Sequence, residues 1–389
     1  MRKDVITMKK WIALLLAMSI CILCAACGGE KAPETTNAPA VNTPATEAPA
    51  TDIPATEDTT EAPAVENTEE APADNEVLYT NPFTGEVLEN PITTRPVVVS
   101  ISNIPDALPH RGVYGADILF ESFVNGSIVR CLALYGDITG VPSIGSTHSA
   151  RPIFIDIAAH YNAFYAHAGG SEYTMSVMHS SGVDNMNVDA WNAEGSGNDF
   201  IYSFRDEARN KALGWVNCLI TRGPELMDYI VKNNKADMTQ DANASFGLQF
   251  VEDGTPANGE TAENISITLK FNGTVKETVM VYNAETGKYE YNQYGKAMID
   301  EADGKAEGFT NVIVMYTDMD NIQGYHTANF VAGGSGYYAC GGKIIPIQWK
   351  CAGEDQPFTY YTEDGAPLNM GVGNSYIALT VAGAPVTCK

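Results

Sequence analysis

The chain has 389 residues, with 23 Lys and Arg against 48 Asp and Glu, and its formal net charge at pH 7 is −25. This charge argues against nucleic acid as a partner, because a polyanion binds mainly to clustered cations. A hydrophobic fraction of 44% is enough for a packed core, but composition alone indicates no reaction and no cofactor.

The first 27 residues have the pattern of a bacterial lipoprotein signal. A basic segment precedes an uncharged run from Trp11 to Ala26, which is short for a membrane span. Residues 23–29 resemble a lipobox, although Cys24 stands where an aliphatic residue is usual. We therefore predict that Cys27 is diacylated and anchors the protein to the outer face of the cytoplasmic membrane. An uncleaved signal anchor is the alternative.

Residues 28–77 are rich in Ala, Pro, Thr and Glu and contain few bulky apolar residues. Such a segment cannot bury enough apolar surface to offset the entropy lost on ordering, so we predict a disordered acidic linker. It is typical of a spacer that carries folded domains away from a membrane, and solvation alone would favour the same composition.

The remaining sequence predicts an α+β fold, in which an N-terminal mixed α/β domain at 78–241 precedes a mostly antiparallel β domain at 242–389. In the first domain, apolar runs at 117–124 and 127–135 flank an Asn-Gly pair, the strongest short signal for a hairpin. With these two residues as the turn, Glu121 faces Arg130 on an apolar face. The two charges then form a structural ion pair or line a ligand cleft.

Pro152 predicts a helix start, and Asp156 and His160 lie four residues apart on one side of that helix. A short strand at 163–168 then leads through Gly169-Gly170-Ser171 into a second helix that begins near Glu172. Free backbone N–H groups and a positive helix end would meet beside His167, which makes this turn a candidate anion site. Ser171 is equally explained as the N-cap of the helix.

Two further helices are predicted downstream, one from a capping box at 203–206 and one that starts at Pro224. The second domain consists of short strands at 265–271, 275–282, 288–294, 311–317, 337–340, 343–349 and 376–381. Gly341-Gly342 reads as a two-residue hairpin turn that holds Cys340 and Cys351 too far apart for a disulfide. We expect mostly free, buried thiols among Cys131, Cys218, Cys340, Cys351 and Cys388.

The common catalytic motifs are missing. There is no G-x-S-x-G elbow, no S-x-x-K pair, no H-E-x-x-H and no P-loop. The four histidines between 148 and 179 have no recognised metal spacing, so no metal ligand and no catalytic residue is assigned. Asp117, Glu121 and Asp156 are carboxylates of the kind used in glycan cleavage, which depends on their separation in the fold.

Several short motifs recur in the order of a known family. Residues 81–85, 116–121, 149–152, 167–171, 334–338 and 342–349 resemble the YerB-like lipoproteins of Gram-positive bacteria. The resemblance covers nearly everything after residue 80. It implies a two-part fold and an envelope location, but no reaction and no established catalytic residues.

We therefore expect a lipid-anchored extracytoplasmic protein that binds an envelope protein or a cell-wall ligand through its first domain. The alternatives are a glycan or peptidoglycan hydrolase that uses Glu121 or Asp156, and a structural spacer. The candidate ligand-binding residues are Asp117, Glu121, Arg130, Arg151, Asp156, His167, Gly169, Gly170 and Ser171.

Overall fold

A computed structural model describes residues 78–189 and 199–389. The predicted signal segment, the predicted lipidation at Cys27 and the predicted linker at 28–77 lie outside the described residues. Across the two described ranges, no helix combines the length and the apolar character needed to cross a membrane.

The first region is a mixture of strands and helices, as predicted. The strands are β1 (Tyr79–Thr80), β2 (Val87–Leu88), β3 (Val97–Ser102), β4 (Ile118–Asn125), β5 (Ile128–Tyr135), β6 (Ile144–Gly145), β7 (Phe164–His167), β8 (Asn185–Asn187), β9 (Asp199–Phe200), β10 (Ser203–Arg205) and β11 (Leu219–Thr221). The α-helices are α1 (Pro152–His160), α2 (Glu172–Ser181), α3 (Glu207–Leu213) and α4 (Gly223–Lys232). Single 3₁₀ turns are found at Pro105–Ala107, Val113–Gly115, Ile138–Gly140 and Trp215–Asn217.

The second region is almost entirely strands, with one 3₁₀ turn at Phe330–Ala332 among its described residues. The strands are β12 (Gln249–Val251), β13 (Glu260–Thr261), β14 (Asn264–Phe271), β15 (Thr274–Asn283), β16 (Lys288–Gln293), β17 (Lys296–Ala297), β18 (Gly308–Phe309), β19 (Asn311–Tyr316), β20 (Met319–Ile322), β21 (Tyr325–Ala328), β22 (Gly334–Cys340), β23 (Lys343–Cys351), β24 (Phe358–Thr362), β25 (Asn369–Gly371), β26 (Ser375–Thr380) and β27 (Val386–Cys388).

Local sequence explains most helix starts. Pro152 and Pro224 stand in the first turn of α1 and α4, where a missing N–H costs nothing. Ser171 caps α2 by accepting from the N–H of Thr174. The predicted capping box at 203–206 is wrong in its position. Residues 203–205 form a strand, and Asp206 caps α3 instead by accepting a hydrogen bond from a backbone N–H one turn later.

The largest sheet joins strands from both regions. A 13-stranded sheet has the order β13-β23-β22-β19-β26-β4-β5-β3-β7-β8, with β24 beside β23 and the β20–β21 hairpin against β4. At its centre β4 and β26 are parallel, with Ile118 opposite Ser375. This sheet is continuous across the predicted boundary near residue 241, so both regions contribute to one core. Strands β14 to β18 and β27 form a separate six-stranded sheet.

The central sheet is buried on both faces. One face packs on α1 through residues such as Val98, Phe120 and Phe154. The opposite face, which includes Leu119, packs on the six-stranded sheet through residues such as Ile267. A fully buried aliphatic side chain contributes about 1.5–3 kcal/mol, so the alternation along β4 and β5 ties the two outer layers to the central sheet. A polar side chain on these strands therefore lies in one of two distinct interiors.

The cysteines follow the prediction. All five cysteines of the described residues are free, four of them are buried, and Cys388 is half-buried. Cys340 pairs with Lys343 across the predicted Gly-Gly turn, whereas Cys351 lies at the far end of β23.

Candidate functional site

Glu121 and Arg130 lie on opposite faces of the β4–β5 hairpin. The expected pairing of these two residues is wrong, because Glu121 is opposite Cys131 and Arg130 is opposite Ser122. The predicted turn is also one residue off, because Asn125 pairs with Ile128 and the turn residues are Gly126 and Ser127. An irregularity between Phe123 and Asn125 then offsets the register again, so that the pairing along the strands differs from the expected pairing by one residue. A shift of one residue turns each side chain to the other face, so the two charges belong to different interiors.

Glu121 points toward the six-stranded sheet and is fully buried. Its Oε1 accepts hydrogen bonds from Asn103 Nδ2 and from the ammonium of Lys276, both at 2.5 Å. Its Oε2 accepts from Thr278 Oγ1 at 2.9 Å and from the hydroxyl of Tyr376 at 2.5 Å. Both carboxylate oxygens are thus used inside the protein, and the ion pair ties β4 to β15 and β26. The arrangement leaves Glu121 no access to a substrate.

Arg130 lies on the face that α1 covers and is only 3% exposed. One terminal nitrogen donates to the carbonyl oxygen of Ser149 at 2.8 Å, and the other lies 2.9 Å from Nδ1 of His148. This Nδ1 also accepts the backbone N–H of Ser149 at 2.8 Å. Two donors to one ring nitrogen hold His148 in the neutral form with its proton on Nε2. The Nε of Arg130 is buried and has no hydrogen-bond partner.

Arg151 lies immediately before α1 and reaches the same point. Its Nε donates to the side-chain oxygen of Asn125 at 3.0 Å. One terminal nitrogen donates to the carbonyl of Ala150 at 2.7 Å and reaches that of Ser149 at 3.5 Å. The guanidinium lies 5.6 Å from the ring centre of Tyr325. Tyr325 belongs to β21 and pairs with Asn125 at the end of β4. We call Arg130, His148, Ser149, Arg151 and Tyr325 the arginine site.

The arginine site carries two positive charges without a compensating negative one. In the described part of the chain, no carboxylate forms an ion pair with Arg130 or Arg151. Burial and the charge of Arg151 lower the pKa of Arg130 to about 9, which leaves it cationic at pH 7. Burial, followed by the charges of Arg130, Arg151 and Arg205, lowers the pKa of His148 to about 3. The histidine is therefore neutral at physiological pH.

The predicted anion-binding turn lies beside the arginine site. The backbone N–H of Ala150 donates to the carbonyl of Gly169 at 2.9 Å, and that of Ala168 donates to the carbonyl of His148 at 2.9 Å. Gly169 has a φ of +70°, which favours glycine. The turn from Gly169 through Gly170 to Ser171 is thereby held against the segment that carries His148 and Ser149.

His167 is fully buried behind this turn. Its Nδ1 lies 2.9 Å from the carbonyl of Gly169, and its Nε2 lies 3.2 Å from the side-chain oxygen of Asn185. Burial lowers the pKa of His167. Its ring supports the turn from behind, so we interpret His167 as a positioning residue for the turn.

Asp117 lies at the other end of β4 from the arginine site. Its carboxylate accepts from the backbone N–H of Gly136 at 2.5 Å and from Asn81 Nδ2 at 3.0 Å. Burial raises the pKa of Asp117 to about 6. These contacts connect the start of β4 to the first turn of the domain, and they place Asp117 far along the strand from Arg130.

Asp156 belongs to a separate cleft on the outer side of α1. The cleft has a volume of about 730 Å³ and is lined in part by His160, Glu354 and Asp355. Burial and the charge of Glu354 raise the pKa of Asp156 to about 7. Burial lowers the pKa of His160 to about 4, and the ring lies 3.5 Å from the thiol of Cys351. Asp156 and Glu121 are thus on opposite sides of the central sheet and do not form a catalytic pair.

Within residues 78–189 and 199–389, no three His, Cys, Asp or Glu side chains are arranged to hold a metal ion. The sequence did not identify three contributors to the arginine site or its edge. His148 directly precedes the 149–152 motif, and this adjacency was its only signal. Asn125 was interpreted as a turn residue, and Tyr325 comes from a hairpin that lies far along the chain.

Comparison with known proteins assigns the chain to a family. Two domains described as the N-terminal and C-terminal domains of a protein of unknown function (DUF3048) match residues 83–233 and 267–377. A Bacillus subtilis (strain 168) protein named "Putative lipoprotein YerB" is 25% identical over 279 residues, which cover 69% of this chain and 77% of the relative.

The crystal structure of the YerB protein from Bacillus subtilis has the same fold. The match has a TM-score of 0.66 at 22% sequence identity and covers 79% of this chain and 99% of that structure. The order of the two matched domains also agrees with the order of the two regions described above. The chain therefore belongs to the two-part, YerB-like family of proteins of unknown function.

Proposed function

We propose that the protein is a membrane-tethered, extracytoplasmic binding module that recognises an acidic ligand at the arginine site. The lipoprotein name of its Bacillus subtilis relative supports the tether, together with the signal pattern that ends at Cys27. The ligand is a molecule or a protein of the cell envelope. The proposal places recognition at the edge formed by the ends of β4, β5 and β21.

One observation carries the proposal, namely that Arg130 and Arg151 are both buried and converge on one carbonyl without an acid. A buried charge is costly unless it is paired, so proteins seldom keep two such cations together for stability alone. Other buried arginines in this protein do have acids. Arg95 is 2.6 Å from Asp184, and Arg209 is 2.6 Å from Glu301. A carboxylate or another acidic group from a ligand would supply the missing charge.

The residues around Arg130 are partly exposed to solvent. His148, Ser149 and Tyr325 are half-buried, and Asn125 at the edge of the site is half-buried as well. Arg130 itself is almost fully buried. Solvent-accessible polar groups around a buried cation are an arrangement that allows a ligand to enter and to be desolvated as it binds.

The test captures ligands with the full chain, including its N-terminal segment, solubilised in detergent. The chain is incubated with solubilised envelope and with purified cell wall, and bound material is identified by mass spectrometry. We expect an acidic ligand that the wild type retains and that Arg151→Met loses. Arg95→Met is the matched control, because it removes a buried arginine that already has an acid, and it should retain the ligand.

Two outcomes contradict the proposal. Retention of the same ligand by Arg151→Met would remove the arginine site from recognition. The absence of any saturable ligand would favour a structural spacer. The tether is tested separately with Cys27→Ala, which we expect to move the chain from the membrane fraction to the soluble fraction.

The cleft at Asp156 favours a glycan hydrolase as a second candidate function. A carboxyl group with a pKa of about 7, facing a second acid, is suited to general acid catalysis near neutral pH. If this is correct, the wild-type chain releases fragments from purified cell wall and Asp156→Asn does not. Equal release by both proteins, or none by either, would contradict it.

A further inference from the structure

The unoccupied donors of the arginine site come from separate side chains. Arg130 has its Nε without a partner, and its two terminal nitrogens are engaged by Ser149 and His148. Arg151 has its Nε and one terminal nitrogen engaged, and its other terminal nitrogen makes no hydrogen bond within the described residues. The Nε2–H of His148 is a further donor. Each engaged terminal nitrogen carries a second N–H, so both guanidiniums keep donors beyond their contacts within the protein.

This pattern bears on the shape of the ligand. A carboxylate is held best when two parallel N–H groups of one guanidinium face its two oxygens. The donors that remain here are spread over three side chains. Single donors from Arg130, Arg151 and His148 fit instead a group with several oxygens that point in different directions, as in a tetrahedral oxyanion.

The N-terminus of α2 adds positive potential at the same place. The ring of Tyr173, in the first turn of this ten-residue helix, lies 5.8 Å from the ring of Tyr325 beneath Arg151. The backbone N–H groups of Gly170 and Ser171 donate to no partner among the described hydrogen bonds. Glu172, the acid of this turn, is exposed. A helix N-terminus favours an anion, and it supports a site that the buried guanidiniums already define.

We infer that the acidic group bound at the arginine site is a phosphoryl group, held by Arg130, Arg151 and His148 beside the N-terminus of α2. The inference rests on the proposed function and specifies its ligand class. A phosphomonoester carries a charge of about −1.5 to −2 at pH 7, which balances both arginines, whereas a phosphodiester carries about −1 and balances one of them. The net charge of −25 disfavours nonspecific binding of anions, so a saturable effect of phosphate would indicate a specific site.

A phosphoryl group has two kinds of source in the envelope. It is either a free phosphate or phosphomonoester, or the phosphodiester of a lipid headgroup or a wall polymer. The chemistry of recognition is shared, and the experiment separates the sources with inorganic phosphate as one probe and lipid vesicles as the other.

The first arm measures thermal unfolding of the full chain in detergent. Inorganic phosphate and succinate are titrated at constant ionic strength against chloride. A ligand that binds only the native state raises the unfolding temperature in a saturable manner. We expect phosphate to bind about tenfold or more tightly than succinate, and Arg130→Met and Arg151→Met to lose about tenfold in phosphate affinity, since each removes a charge-assisted hydrogen bond. Arg95→Met should keep the phosphate effect.

The second arm uses Cys27→Ala, so that the lipid anchor does not mask other membrane binding. This chain is sedimented with phosphatidylglycerol vesicles or with phosphatidylcholine vesicles. Sedimentation with phosphatidylglycerol that depends on Arg151 and is displaced by inorganic phosphate would identify a lipid headgroup as the source. A phosphate effect without sedimentation would identify a free phosphate compound or a wall polymer.

The outcomes separate this inference from the proposed function. Succinate binding as tightly as phosphate would overturn the phosphoryl assignment and leave an acidic-ligand site. No effect of either anion, with an envelope ligand still lost from Arg151→Met, would also overturn the assignment and leave the binding module. No anion effect and no such ligand would overturn both.

Discussion

The two buried charge clusters on either face of the β4–β5 hairpin differ in how completely they are satisfied. On the face toward the six-stranded sheet, which we call the inner face, Glu121 is surrounded by Lys276 and three further donors, and both of its oxygens accept hydrogen bonds. On the face that α1 covers, which we call the outer face, Arg130 and Arg151 both donate to one carbonyl oxygen, and no acid among the described residues pairs with either of them. The same hairpin thus carries a buried acid with a partner cation, Glu121, and a buried cation without a partner acid, Arg130.

This difference separates a structural role from a binding role. A closed network leaves nothing for a ligand to add, and its loss should affect stability alone. An open network keeps unused donors and an unbalanced charge, so its loss should affect binding more than stability. Residue type does not distinguish a structural cluster from a binding cluster here, since both contain a buried charge on the same pair of strands. The two clusters differ in whether that charge has an oppositely charged partner.

The largest effect is expected when Lys276 is replaced by Met. Glu121 would then be buried beside neutral donors only, and removing one partner of a buried ion pair typically costs about 3–5 kcal/mol. Urea unfolding at pH 7 measures the change in the free energy of unfolding. The double variant Glu121→Gln with Lys276→Met should recover a large part of the loss, because no unpaired charge remains.

An exposed ion pair provides the control for this prediction. Lys232 and Asp228 lie four residues apart on α4 and are both about two-thirds exposed, with a 2.6 Å contact. Lys232→Met should cost less than about 1 kcal/mol. A loss for Lys276→Met that is as small as this one would show that the inner network does not hold the layers together.

The stability of the protein at low pH should depend on His148 in the arginine site. The pKa of its ring is about 6.5 when unfolded and about 3 when folded, so the neutral form is favoured in the native state. The resulting stability is fully present above pH 6.5 and is lost as the pH falls toward 3. Between these values the slope approaches about 1.4 kcal/mol per pH unit. His148→Gln should lose less stability than the wild type between pH 6.5 and 4, measured by urea unfolding at each pH.

The comparison with His148→Gln is necessary because other groups titrate in the same range. Burial raises the pKa of Asp156 to about 7 and that of Asp117 to about 6, so their titration stabilises the protein as the pH falls. Their effect has the opposite sign to that of His148 and is shared by both proteins. Parallel pH profiles for the wild type and the variant would contradict the neutral, doubly accepting state of His148.

Titration of Asp156 should change the stability in the opposite direction to titration of His148. The pKa of Asp156 is 3.8 when unfolded and about 7 when folded, so ionisation above pH 4 destabilises the native state progressively up to pH 7. Asp156→Asn should therefore be more stable than the wild type at pH 8, and the difference should disappear near pH 4, with a slope of up to about 1.4 kcal/mol per pH unit. A constant difference at all pH values would show that the carboxyl group is not protonated in the cleft.

The sequence predicted those features that depend on neighbouring residues. The β4–β5 hairpin, the helix start at Pro152 and the cap at Ser171 were all predicted, because each depends on residues close together in the chain. The exact turn residues of the hairpin were wrong by one position. The strands of the second region follow from their alternating apolar residues. Arg130, Arg151 and the turn that begins at Gly169 also come together in the fold, since short connections keep their elements adjacent.

The features that the sequence missed depend on register or on distant strands. The displaced turn at Gly126-Ser127 and the irregularity between Phe123 and Asn125 have no signature in residue type, and together they remove the pairing of Glu121 with Arg130. Lys276, the actual partner of Glu121, comes from the second region, and its selection requires the packing of one sheet on another. Tyr325 reaches the arginine site for a similar reason, through the pairing of β21 with the end of β4.

The smallest effect on the free energy of unfolding is expected for Arg151→Met, and its size tests whether the arginine site contributes to folding or to binding. The variant loses hydrogen bonds to Asn125 and Ala150, but it also removes a desolvated charge and its repulsion of Arg130. These changes oppose one another, so the free energy of unfolding should change by no more than about 1 kcal/mol. Arg95→Met, which leaves Asp184 without its cation, should cost more, about 1.5–3 kcal/mol.

Urea unfolding in chloride buffer compares the two variants directly. If Arg151→Met costs as much as Arg95→Met, the arginine site contributes to folding in the same way as an ordinary ion pair, and the contrast between the two faces of the hairpin fails. If the cost is small, Arg151→Met is a folded protein, and any ligand that it loses is lost because the charge is absent and not because the site has collapsed.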